Sequence, residues 1–164
     1  SSPAEMQRIG MVHNSRLVTS AMPNTANATA VNYFAEMIAV MRELNEHEPF
    51  YCVVYALPDL YSTAFNPGLI SLGRQNKLSD ALAAVIEDSY TIRAPAIDQR
   101  RAEQVIVEIS DRMASRLDVI DPAKMSTEED YRKACEALIA LNEAVFNYST
   151  DDAGNAIRSL LSQK

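Results

Sequence analysis

Hydrophobic residues recur at intervals of three and four over most of this chain, the spacing of a helix face rather than of a strand. Val31, Phe34, Ile38, Met41 and Leu44 draw the first stripe. It predicts a helix from about Asn27 that stops before Pro49, because a residue preceding proline avoids the α region. Leu78, Leu82, Val85 and Ile86 predict a second helix over about 79–90. The clearest stripe is Ala102, Val105, Ile106, Ile109, Met113, Leu117 and Ile120, a helix over 96–120 closed by Asp121-Pro122. Within it Glu108 and Arg112 make an i,i+4 pair in the favourable order. Tyr131, Ala134/Cys135, Leu138, Leu141, Val145 and Tyr148 form the last long stripe. Ser126-Thr127-Glu128-Glu129 reads as its capping box, with Ser126 as the cap and Glu129 reaching back. A short final helix carries Ile157, Leu160 and Leu161, capped by Asp151 or Asp152.

Two stretches break this pattern. Residues 1–26 carry Pro3, Gly10, Pro23 and a run of small polar residues, and read as an irregular N-terminal arm or tether ahead of a helical domain over 27–164. Residues 49–65 are apolar all round, and periodicity cannot separate a buried helix from a buried strand there. Pro49 suits a first helical turn and no partner strand is evident, so the segment reads as a buried helix that breaks near Pro58 and resumes through Leu60, Tyr61 and Ala64. Asn66-Pro67-Gly68 then makes a turn.

The fold expected is therefore all-α, a single-domain bundle of five to six helices whose short links favour antiparallel neighbours. Composition agrees: four glycines are too few for the tight turns of a sandwich or barrel. No period of 20–50 residues repeats, so a solenoid is not supported.

Charge narrows the partners. The formal net charge is −7, and the few adjacent cations, Arg100-Arg101 and Arg132-Lys133, have carboxylates nearby. No basic stripe alternates with aromatics, so a nucleic-acid role is not expected and a protein partner is. The longest apolar run, Cys52 to Leu57, is far too short for a transmembrane helix. Ser1-Ser2-Pro3-Ala4 suits the residues that follow a lipidated cysteine, so a membrane tether through a lipidated N-terminus is one expectation, although a trimmed terminus reads the same way.

Cys52 and Cys135 have no CxxC neighbour, which removes thioredoxin-like redox chemistry and a zinc knuckle. Two readings stay open at this point: buried thiols in a reducing compartment, or one disulfide in an oxidising one.

The candidate chemistry is sparse. His47 faces Glu43 four residues earlier, which gives two metal ligands and no third, while Leu44 stands where a Glu-x-x-His motif needs its glutamate. Cys52 sits in the most apolar stretch, where burial makes a thiol inert. Gly68 to Gly73 matches neither a nucleophile elbow nor a phosphate loop. Adjacent carboxylates such as Glu87-Asp88 point apart on a helix and make no acid/base dyad. No catalytic, metal or cofactor set is expected. What remains is a tyrosine-rich segment, Tyr51, Tyr55 and Tyr61. Arg74 and Arg93 are available beside it as candidate interaction or ligand residues. The leading expectation is a non-catalytic protein-interaction factor, an accessory or immunity-type protein of a bacterial periplasm or envelope. The alternatives are a small-molecule-binding helical sensor or carrier, and a cytoplasmic location.

Overall fold

The computed structural model describes residues 15–61, 63 and 65–163. Among them there are seven α-helical segments and no strand, so the fold is all-α as the periodicity predicts, with a helix count one above the upper expectation. The segments are α1 (residues 15–21), α2 (Asn27–His47), α3 (Pro49–Ala56), α4 (Leu72–Thr91), α5 (Gln99–Leu117), α6 (Glu128–Glu143) and α7 (Thr150–Leu161).

The extra helix is α1, which lies inside the stretch read as an irregular arm. Residues 1–14 of that arm lie outside the described residues. From Val18 onward the chain belongs to the body instead: Val18, Ala21, Met22 and Thr25 are buried, at the i, i+3, i+4, i+7 spacing of a helix face. Thr25 fits there because its hydroxyl donates to the carbonyls of Ala21 (2.9 Å) and Val85 (3.4 Å).

Helix α2 is the centre of the bundle and packs against α3, α4, α6 and α7. Hence it buries Tyr33 and Val40 as well as the expected stripe of Phe34, Ile38, Met41 and Leu44. The residue that precedes it at the cap position, Ala26, has no capping side chain. Asp88 of α4 supplies the missing acceptor, taking the Ala26 N–H at 3.1 Å. Pro49 opens α3, and the chain breaks at Pro58 into a single 3₁₀ turn, Pro58–Leu60, rather than resuming as a helix; Ala64 lies outside the described residues.

Other boundaries move for local reasons. Helix α4 starts seven residues earlier than expected, because Ser71 caps it (Arg74 N–H to Ser71 Oγ, 3.3 Å) and is itself held by Glu43 (2.9 Å). Helix α5 is shorter at both ends, capped by Asp98. The capping box of α6 sits one residue later than expected. Thr127 accepts from the Asp130 N–H (3.2 Å) and Asp130 accepts from the Thr127 N–H (3.0 Å). The cap of α7 is Ser149 rather than Asp151 or Asp152, and the two aspartates occupy its first turn.

Cys52 of α3 and Cys135 of α6 are joined in a disulfide, with Cα atoms 5.9 Å apart and both residues fully buried. Of the two readings open in the sequence, this is the bonded one. Helix α7 is buried continuously from Ala153 to Ser159. Gly154 explains how it approaches so closely: a Cβ built there would lie 2.6 Å from the Asn27 carbonyl oxygen.

That approach makes a clean contrast between two glycines. Gly154→Ala is expected to lower stability by about 1–3 kcal/mol, since backbone must shift to admit the methyl. Gly73→Ala meets open space in the first turn of α4 and is expected to be neutral or to add up to about 1 kcal/mol through helix propensity. Thermal unfolding of the two variants checks the difference.

Candidate functional site

Helix α4 ends at Thr91, and the chain does not turn at once into α5. Residues 92–98, Ile92-Arg93-Ala94-Pro95-Ala96-Ile97-Asp98, form neither helix nor ladder. Pro95 keeps Ala94 out of the α region and so prevents α4 from continuing. Both ends of the segment are extended, Ile92 at φ −120°, ψ 161° and Asp98 at φ −80°, ψ 93°. Ala94 and Ile97 are half-buried, whereas Ile92, Arg93, Pro95, Ala96 and Asp98 are exposed. The segment is thus a strap that lies on the body by two small anchors and shows the rest to solvent.

The strap is held from inside by α7. Asn155, itself 8% exposed, clasps the Asp98 backbone on both sides, accepting from its N–H and donating to its carbonyl, each at 2.8 Å. Arg158, fully buried, donates to the Pro95 carbonyl at 2.7 Å. The same guanidinium donates to the carbonyls of Met22 (3.2 Å) and Pro23 (2.7 Å) and to Asn27 Oδ1 (3.0 Å). Burial pushes its pKa down. Among the described residues no carboxylate accepts from it; backbone carbonyls and one amide oxygen do. Next to this hub, Ser159 donates to Gln99 (2.7 Å), and Arg101 forks onto Asp152 (3.0 and 2.7 Å), fixing the start of α5. On the other side of the strap, the Ile92 N–H still donates to the Asp88 carbonyl at 3.1 Å. The backbone N–H groups of Arg93, Ala94, Ala96 and Ile97 have no partner among the described residues. Arg93 has no ion pair among them, and Tyr90 just before the strap is 86% exposed.

The residues singled out from sequence are distributed differently. Tyr51 and Tyr61 each set an edge against Phe50, at 5.2 and 5.5 Å between ring centroids, and Tyr131 of α6 does the same at 5.1 Å. Tyr55 packs on Phe65 at 5.2 Å. Burial, with Tyr33 close by, pushes the Tyr55 phenol above its ordinary value, and Tyr33 itself is pushed up to about 12. Tyr51, Tyr61 and Tyr131 therefore gather around the Phe50 ring, while Tyr55 packs separately on Phe65. Arg74 lies on α4 and pairs with Glu36 (3.2 Å) and Glu43 (3.8 Å) of α2. It borders a shallow depression of about 350 Å³ with Ala39, Arg42, Glu43, Glu46 and Ser71. Arg42 is spent on Glu143, and the Ser71 hydrogen bonds hold the Glu43 carboxyl below the usual carboxylate range. No hydrogen bond, ion pair or ring contact among the described residues joins Arg74 or Arg93 to the tyrosine cluster. His47 is exposed beside Glu46 (3.9 Å), and His13 lies outside the described residues. Among the described residues no three His, Cys, Asp or Glu side chains gather about one point.

Of the sequence candidates, Arg93 is the one that stands on the strap. Asn155 and Arg158, which hold it, were missed. The signal for them was weak: Asp152, Asn155 and Ser159 recur at helical spacing, but with Thr150, Asp151 and Arg158 they look like the solvent side of the helix. No protein-family model matches this chain, and no curated protein or solved structure matches it either.

The hub gives a measurable expectation. Arg158→Lys replaces a planar fork of donors with one ammonium and leaves carbonyls unpaired, for an expected loss of about 2–4 kcal/mol. Asn155→Ala releases only the Asp98 end of the strap and is expected to cost about 1–2 kcal/mol. Urea unfolding of both variants orders them; wild-type stability in Arg158→Lys would contradict the role given to the fork.

Proposed function

We propose that this chain is a non-catalytic protein-interaction factor that acts outside the cytoplasm, as an accessory or immunity-type protein whose job is to cover part of a partner. The observation that carries this reading is the surface around the strap. Tyr90, Ile92 and Arg93 stand exposed within four residues of chain, next to the strap positions Pro95 and Asp98 that Arg158 and Asn155 fasten from within. Tyrosine and arginine are the residue types that dominate binding energy at interfaces. A fastened backbone loses little conformational entropy on association, which raises affinity without new contacts.

The location is supported by the buried Cys52–Cys135 disulfide, a bond that forms and persists in oxidising compartments. No helix among the described residues is long and apolar enough to cross a membrane. A lipidated N-terminus would place such a domain at a membrane surface, and a periplasmic or envelope setting fits both features.

Site-specific photo-cross-linking in the native host tests the reading. A photo-reactive phenylalanine at position 90 is expected to give one adduct of defined mass, recovered in an extracytoplasmic fraction. The same group at the exposed position 136 on α6 is expected to give none. Equal adducts at both positions, or none at position 90, would remove the proposed surface.

A further inference from the structure

We infer that residues 92–98 are a substrate-like binding strand for a trypsin-like serine protease, with Arg93 entering the specificity pocket; this rests on the interaction reading above and names its partner. Three observations converge on it. The first is conformation. Proteins that read extended peptides pair with their main-chain N–H and C=O groups, as at a sheet edge. The strap is extended at Ile92 and Asp98, and the N–H groups of Arg93, Ala94, Ala96 and Ile97 make no bond among the described residues. The second is the side chain near its start. Arg93 is exposed and without an ion pair among the described residues, and it is followed by the small Ala94. A protease pocket with an aspartate at its base selects a cation at this position.

The third is the fastening, which separates an inhibitor from a substrate. The bond at risk is Arg93–Ala94. In the protease, the serine oxygen attacks the Arg93 carbonyl carbon, the C–N bond to Ala94 breaks, and the departing amine takes a proton from the histidine. In a loose peptide that amine diffuses away and water completes hydrolysis. Here both sides of the break stay anchored. Ile92 remains on Asp88 (3.1 Å), while Pro95 remains on Arg158 (2.7 Å) and Asp98 on Asn155 (2.8 Å). The amine is therefore held beside the acyl carbon at high effective concentration, and aminolysis restores the peptide bond with return of the proton. Pro95 adds stiffness by fixing its own φ.

The test uses the whole disulfide-bonded chain and bovine-type trypsin as the probe, with residual activity on a chromogenic peptide and intact mass of the chain as readouts. Inhibition at or below about 0.1 µM is expected, a strength within reach of a standard protease–inhibitor interface. Arg93→Ala is expected to weaken it by roughly 100-fold or more, as loss of a central anchor does. Arg93→Lys keeps the cation and is expected to stay within about 10-fold of wild type. Because Arg93 is exposed, both variants are expected to melt like wild type. Asn155→Ala is expected to convert the chain into a substrate cut after Arg93. No inhibition at about 10 µM, rapid cleavage of the wild-type strap, or undiminished inhibition by Arg93→Ala each overturns the proposal. An adduct at position 90 alongside uninhibited trypsin leaves the interaction reading standing and removes only the protease; loss of both removes both.

Discussion

A buried guanidinium that meets no carboxylate among the described residues is the constraint around which much of this fold is arranged. Taking an arginine out of water costs several kcal/mol, and that cost is offset only when its donors are met with good geometry. Arg158 meets Met22, Pro23, Asn27 and Pro95, four residues from three parts of the sequence. All three parts must arrive together. The 3₁₀ turn after α1, the start of α2 and the strap between α4 and α5 are thereby placed relative to α7. A lysine carries its charge at a point and lacks the fork that reaches several acceptors in one plane. The close approach at Gly154 belongs to the same arrangement, since α7 can bring Arg158 to Asn27 only where no side chain intervenes.

The body has a second fastening of a different kind. The disulfide ties α3 to α6, and the rings of Phe50, Tyr51, Tyr61 and Tyr131 pack beside those helices. Closing a loop of 83 residues restricts the unfolded chain, which is worth about 4.5 kcal/mol in the chain-entropy view. Helix α2 touches the partners of both fastenings, packing against α3, α6 and α7. The strap gains from this division of labour. It carries no core of its own, yet its conformation is set by side chains that solvent does not reach.

The sequence made the long amphipathic helices readable, because α2, α5 and α6 each present one repeated apolar face, and α6 adds a capping signal within a residue of the true one. It hid elements whose burial is polar or nearly uniform. Just after α1 the buried position Thr25 looks like a loop residue until its bonds to Ala21 and Val85 are seen. In α7 the polar residues Asn155, Arg158 and Ser159 resemble a solvent face, while the structure turns them inward. The beginning of α4 is exposed on most sides and so carries no stripe. The cysteine pair is invisible to spacing, since 83 residues separate its members and only the packing of α3 on α6 brings them together. Arg93 was legible as a residue of interest. Its setting was not, because the groups that fix the strap lie about 60 residues away in sequence.

The strap is ordered by α7 through Arg158 and Asn155 rather than merely resting on it. Backbone ¹⁵N relaxation across residues 90–100 measures this directly on the ps–ns timescale. Order parameters for Arg93, Ala94, Ala96 and Ile97 near the rigid-backbone level of about 0.85 are predicted. Values below about 0.6 at those residues would show a loose linker and contradict it.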